Sequence, residues 1–320
     1  MKRNFVQLAV AGIGLWSALV GAAVAKYPDK PLHMVVPYSA GGGVDNITRV
    51  VAKGLGTRVQ QPVVVDNRPG ASANIGANLV AKAAPDGYTM LVGATFLAFN
   101  RATTKNLPYD AATDLIPVAR LGKAPFVLVV PATLPVKNVA ELVAYMKVNP
   151  KTASYGAVGA GAPTNLIFPK NTGTKPIQVL YKGGATAMPD LIAGRLTFMI
   201  QTASEVLPLV RSGKLHALAV TGTSRFYALP DVPTMKEAGV ADLESTGWWG
   251  VFLPAHTPAP IVDKLSDELQ LVMKQPDVIE SLHKMGIESA PLPAAKFKPF
   301  FQKELKSYDD VARQFHLVVN

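Results

Sequence analysis

Short runs of β-branched and other apolar residues recur along the chain, each bounded by Pro, Gly or Asn. They are HMVVPY from His33, PVVVDN from Pro62, TMLVG from Thr89, FVLVV from Phe126, IQVLY from Ile177, LTFMI from Leu196, HALAVT from His216 and WGVFLP from Trp249. Most are apolar at nearly every position, as strands buried on both faces are. Between many of them the spacing becomes helical: Ile47, Val50, Val51, Gly54 and Leu55 follow the first run, and Val139, Leu142, Val143 and Met146 the fourth. This alternation predicts an α/β fold of mostly parallel sheets flanked by helices. Asn138 and Glu141 have the spacing of a capping box. Phe297, Phe301, Leu305, Tyr308, Val311 and Phe315 predict a core-facing helix near the C-terminus.

Two segments share a layout of strand, Pro-bounded turn and helix: FVLVVPATLPVKNVAEL from Phe126 and WGVFLPAHTPAPIVDKL from Trp249. If both strands cross between lobes, residues 26–126 plus 248–320 form lobe 1 and residues 127–247 form lobe 2, joined by a two-strand hinge. Two unrelated strand-to-helix turns in one sheet would give the same pattern.

The most informative local feature is the loop after the first run, where Tyr38, Ser39, Ala40, Gly41, Gly42 and Gly43 lead into a helix opening near Asp45. Glycines let the backbone approach a ligand closely, and a helix N-terminus presents N–H groups that suit an anion such as a carboxylate. The P-loop ending and the dinucleotide fingerprint are both missing. Asp45, in the first helical turn, reads as an organiser of the loop more than as a ligand contact. A second loop echoes the first, with Tyr181 closing a strand and Lys182, Gly183, Gly184, Ala185 and Thr186 following. The two loops would face each other across a cleft beyond the carboxyl ends of their strands; the alternative is that each Gly pair only makes a tight turn. A third Gly-rich run holds Gly156, Gly159 and Gly161 ahead of Thr164 and Asn165, as donors to an oxygen-rich ligand or as a plain helix start.

Composition narrows the function. Lys2 and Arg3 precede an apolar run ending at Ala23, Val24 and Ala25, which predicts a signal peptide over residues 1–25 and an exported, periplasmic protein. The chain has no cysteine, which excludes a lipid-anchored lipoprotein, a disulfide scaffold, thiolate catalysis and Cys-based zinc sites. The formal charge of +10 favours anionic partners, yet Lys and Arg are scattered singly without interleaved aromatics, so no nucleic-acid partner is expected. The histidines at 33, 216, 256, 283 and 316 stand far apart with no metal-ligand spacing, no G-x-S-x-G elbow is present, and Ser39 has no partnered base in view. A secreted hydrolase or isomerase is therefore the weaker alternative, and no catalytic residue, metal or cofactor is expected.

Several segments together resemble the tripartite tricarboxylate transporter receptor family, the Bug-type periplasmic solute-binding proteins. They are YPDKPLHMVVPYSAGGGVD, VVVDNRPGASANIGA, APDGYTML, LPYDAATDLIPVARLG, the YKGG loop, GKLHALAVTGTSR, LPDVPTMKEAG and GWWGVFLPAHTP, in family order from residue 27 to about 285. The resemblance implies a two-lobe periplasmic-binding-protein fold of type II-like layout that closes on a ligand without catalysis. It also implies a monomer that serves the membrane permease subunits of a tripartite tricarboxylate-type transporter. The loop from Tyr38 to Asp45 would grip one ligand carboxylate through backbone N–H groups and ordered waters. Carried over by position, further pocket residues are Asn74, Thr95, Phe96, Gly161, Thr164, Asn165, Tyr181, Gly183, Gln201 and Thr202. The chain departs from the family where Asn165 replaces a usual histidine and Thr197 a common acidic residue, with Gln201 the next polar position. Lobe 2 is thus expected to lack imidazole and carboxylate groups. The ligand expected is a mono- or dicarboxylate without an amino group, aromatic ones included in view of Tyr38, Phe96 and Trp248.

Overall fold

Each of the apolar runs overlaps a strand of the computed structural model, which describes residues 27–158, 163–241, 243–315 and 317. The expected signal peptide and Gly161 lie outside the described residues. The first part of the chain forms β1 (Leu32–Val36), α1 (Gly43–Val59), β2 (Val63–Asn67), α2 (Asn74–Ala81), β3 (Thr89–Ala94) and α3 (Phe96–Thr103). Here β1 lies between β2 and β3 and pairs parallel with both. Helix α1 packs on this sheet because Ile47, Val51 and Leu55 fall on one face, and all three are fully buried.

A single 17-residue strand, β4 (Leu115–Pro131), then changes its pairing partners part-way along its length. From Leu115 to Pro125 it pairs antiparallel with β9 (Thr246–Pro254), and Glu288–Pro293, the strand β10, flanks its other edge. From Phe126 onward it pairs antiparallel with β7 (Met199–Thr202) and β8 (Leu215–Val220). Its alternating side chains serve two cores: Phe126, Leu128 and Val130 enter a cluster drawn from residues 126–243, while Val127 and Val129 join the larger cluster, which continues from the β1–β3 sheet to Met188, Leu191 and Val206. Between β4 and β8 lie α4 (Val139–Val148), β5 (Ser154–Val158), α5 (Pro163–Asn171), β6 (Ile177–Tyr181), α6 (Gly184–Ile192) and α7 (Ala203–Arg211). The α/β layering is the predicted one, with parallel pairs β1–β2, β1–β3 and β5–β6. The antiparallel pairings of β4 and β9 are an addition that the apolar pattern does not carry.

The chain returns beside β4 under the control of one side chain. Thr221 is fully buried; its N–H donates to Phe126 O (2.9 Å), its hydroxyl donates to Ser245 O (2.6 Å) and accepts from Phe126 N–H (3.0 Å). Beyond β9 come α8 (Ala259–Val272), α9 (Pro276–Lys284) and, after β10, α10 (Ala294–Phe315). In the predicted stripe of α10, Phe297, Phe301, Leu305 and Tyr308 are buried, Phe297 and Phe301 against the ring of Trp248, while the Phe315 side chain lies outside the described residues. Asn138 caps α4 by accepting Glu141 N–H (2.9 Å), while Glu141 reaches back to Lys137 N–H (2.7 Å), so the box closes one residue earlier than its usual form.

Candidate ligand-binding site

The carboxyl ends of β1, β3, β6 and β7 converge on one cavity of about 80 Å³, several times the roughly 10–15 Å³ that a single water needs. The first loop supplies Tyr38, Ser39, Gly42 and Gly43 to its wall. Tyr38 meets Phe96 edge to face at 5.7 Å, and Thr95 and Phe96 enter from the end of β3. On the other side stand Asn165, Gly183, Gly184, Gln201 and Thr202. The two glycine loops do face each other: a Cβ on Gly183 would lie 3.5 Å from the backbone N of Ser39. The N–H groups of Ser39 and Gly42 donate to no protein acceptor among the described residues. Trp248 offers its ring to the cavity because its Nε1–H is turned away to Glu304 (2.8 Å).

Asp45 is the organiser that its position suggests. Its carboxylate is buried and accepts from Gly41 N–H (2.9 Å), Asn67 Nδ2 (3.0 Å) and Arg49 Nε (2.9 Å). Burial alone would push this carboxyl up, but the bonds from Arg49, Gly41 and Asn67 outweigh it and hold the group below the ordinary range. Asn67 also donates to Tyr38 O (3.0 Å), so the same cluster fixes the tyrosine.

Other expected pocket residues do not reach the cavity. Ala40 and Gly41 point to solvent on the outer side of the loop. Asn74 is buried one layer back, its Oδ1 accepting from Asn100 Nδ2 (3.0 Å) and Tyr109 OH (2.9 Å); Asn100 itself lines the wall. Tyr181 is turned outward, its hydroxyl committed to Asp190 Oδ2 (2.7 Å). Thr164 is fully buried and lines a different cavity behind the wall. Asn165 does line the wall, with its amide bonded to the Ile200 backbone, donating to the carbonyl (3.3 Å) and accepting from the N–H (3.2 Å). Thr197 is likewise structural, accepting Ser154 N–H (3.0 Å).

A family model described as tripartite tricarboxylate transporter family receptor matches residues 47–317. The chain belongs to that family. Among solved structures it is similar to the periplasmic binding protein BugD, at 30% identity and a TM-score of 0.88, over 91% of this chain and 99% of that one. It is similar to R. palustris Rpa4515 with adipate, at 32% identity and 0.87, over 91% and 98%. MatC from Rhodopseudomonas palustris with bound malate follows at 28% identity and 0.85, over 89% and 99%. The receptor therefore has the two-domain α/β fold of these periplasmic binding proteins, and its family and neighbours are solute-binding receptors rather than enzymes.

The receptor's pocket also contains groups that sequence reasoning missed, Ser72, Asn100, Phe126 and Glu205 among them. Glu205 overturns the expectation that lobe 2 offers no carboxylate. It stands in the first turn of α7, just past the strand where an acid was sought, and its Oε1 accepts Gly43 N–H (3.0 Å) from across the cavity. Its Oε2 is buried with no hydrogen-bond partner. Burial pushes the group up to about 7, against the lowering effect of the Gly43 bond. The signal available was positional: an acid in the first turn of a helix that starts at a strand's carboxyl end, the argument already applied to Asp45. Asn100 was also within reach, four residues after Phe96 on the same helix.

Proposed function

We propose that this receptor captures a small mono- or dicarboxylate, aromatic ones included, in the cavity between its lobes and hands it to the permease subunits of a tripartite tricarboxylate-type transporter. It does so in the periplasm, as a monomer, with lobe 1 made of residues 26–126 and 248–320 and lobe 2 of residues 127–247. The observation that carries the proposal is the meeting of two Gly-rich strand ends, with the N–H groups of Ser39 and Gly42 left open beside the N-terminus of α1. Adipate and malate in the neighbours support the carboxylate class. The exchange of β4's partners at Pro125 and Phe126, and the return of the chain through Ser245 and Thr246 into β9, support a two-strand hinge there. Rings of Tyr38, Phe96 and Trp248 supply an apolar flank.

Ligand-free protein screened by thermal shift against mono-, di- and aromatic carboxylates is expected to melt higher with at least one class, since binding to the native state alone raises the midpoint. A folded, ligand-free sample that answers to no carboxylate overturns the proposal.

A further inference from the structure

We propose that Glu205 sets the charge of the ligand that the cavity admits: ionised, its carboxylate occupies the N-terminus of α1 and repels a ligand carboxylate; protonated, it yields the Gly43 N–H, so each carboxylate captured brings a proton to Glu205. This rests on the carboxylate function proposed above and deepens it.

The geometry is that of a built-in competitor. The N–H of Gly43, the opening residue of α1, is a donor that a carboxylate seeks at a helix N-terminus. Glu205 Oε1 already holds it at 3.0 Å, from the opposite side of the cavity. The backbone is shaped around this side chain. A Cβ on Gly184 would come within 1.5 Å of Oε2, so only a glycine leaves room for the carboxylate there. Oε2 has no donor, so the ionised group is served on one side only.

The surroundings supply no counter-charge. The groups facing Glu205 are the Tyr38 phenol from the first loop, the Gly43 N–H of α1, the Gly184 backbone of α6, the Gln201 amide of β7 and Ser204 beside it on α7. Tyr38 is pushed up by burial and then by the charge of Glu205, and so remains a neutral phenol. No lysine, arginine, histidine or second carboxyl group lines the cavity among the described residues. Two carboxylates sharing such a site cannot both stay ionised, and one of them takes a proton. The proton goes to Glu205, because burial with a single donor disfavours its ionised form, whereas ordinary ligand carboxyls ionise well below neutral pH. Glu205 is poised for this at neutral pH, its ordinary value raised to about 7 by burial.

The test is calorimetry with adipate, malate and benzoate between about pH 6.5 and 9, where ligand carboxyls are already ionised. The wild-type Kd is expected to be flat below about pH 7 and to weaken by up to tenfold per unit above it, with uptake of nearly one proton at pH 8 measured in two buffers of different ionisation heat. Glu205→Gln should show a Kd that no longer changes with pH across this range and no proton uptake; Glu205→Ser serves if the amide fails to fold. A wild-type Kd independent of pH, a slope that survives in the variants, or loss of carboxylate binding in both variants overturns the role of Glu205 and leaves the carboxylate function standing. Silence of wild type and variants toward all three ligands at every pH overturns both.

Discussion

The loop after β1 and the loop after β6 share a tyrosine followed by paired glycines, yet they meet the cavity differently. In the first loop the tyrosine faces the cavity and a buried Asp45 cluster holds it there. In the second the tyrosine faces outward and only the backbone of Gly183 and Gly184 reaches the wall. The difference follows from the strands. β1 is a central strand between β2 and β3, so its end is enclosed on both sides; β6 pairs only with β5, and Ile177, Gln178 and Leu180 are exposed along it. A central strand delivers side chains into a site, whereas an edge strand delivers backbone.

If the second loop acts through backbone alone, adding one carbon to it is the largest perturbation available. Gly184→Ala puts a Cβ 1.5 Å from Glu205 Oε2 and 2.8 Å from Gln201 Nε2, so the Glu205 side chain must be driven into the space that the ligand would fill. Carboxylate affinity is expected to fall by about a hundredfold, or roughly 3 kcal/mol, measured by calorimetry at pH 6.5. Gly184→Ala combined with Glu205→Ser should recover most of the loss. Gly183→Ala is the control: its Cβ meets Ser39 only at ordinary contact distance, and its φ of 177° is extended backbone that alanine adopts, so affinity should stay within about threefold. Equal losses at 183 and 184 would show that crowding of Glu205 is not the cause.

The first loop is expected to fail through its scaffold. Asp45→Ala removes three hydrogen bonds from a buried carboxylate and leaves the Gly41 N–H and one Asn67 Nδ2 donation without an acceptor, which should cost about 2–3 kcal/mol of stability in chemical denaturation at pH 7. The sign with pH is fixed by the lowered value of Asp45. Its contribution is present above the unfolded carboxyl value and is lost as pH falls through the folded one. Asp45→Asn should therefore flatten the acid side of the stability profile. Glu205 has the opposite sign: its contribution is complete below the unfolded carboxyl value and fades as pH rises through about 7. A stability profile unchanged by Asp45→Asn would remove Asp45 as the organiser.

These two regions were not equally legible in the sequence. The first loop could be read because a continuous apolar run, a glycine cluster and an acid in the first helical turn are all local signals, and they lie within thirteen residues, His33 to Asp45. Strand β4 was half visible: the stretch from Phe126 is plainly apolar, whereas Leu115 to Pro125 is broken by Pro117, Arg120, Lys123 and two shifts of register. The far wall depends on what each polar group is already bonded to, which no spacing reveals. The Asn165 amide is bonded to the Ile200 backbone and the Tyr181 hydroxyl to Asp190, both through folding contacts. Glu205 becomes a wall residue only because α7 opens toward α1 across the cavity, a relation between elements 162 residues apart in sequence.

The smallest expected effect is also the sharpest check on the contrast. Tyr181→Phe deletes the hydroxyl that donates to Asp190 Oδ2, while Asp190 keeps its exposed ion pair with Arg195 (2.7 Å). Burial first and the Asp190 bond second push the Tyr181 phenol up to about 12, so it carries no charge that a ligand would sense at neutral pH. An exposed pair of this kind contributes little, and the apolar ring remains packed. Carboxylate affinity should stay within about threefold and the melting point within about 2 °C of wild type. A tenfold loss of affinity would mean that Tyr181 turns inward when ligand binds. The edge strand would then deliver a side chain as the central strand does, and the second loop would have to be counted as a ligand wall in its own right.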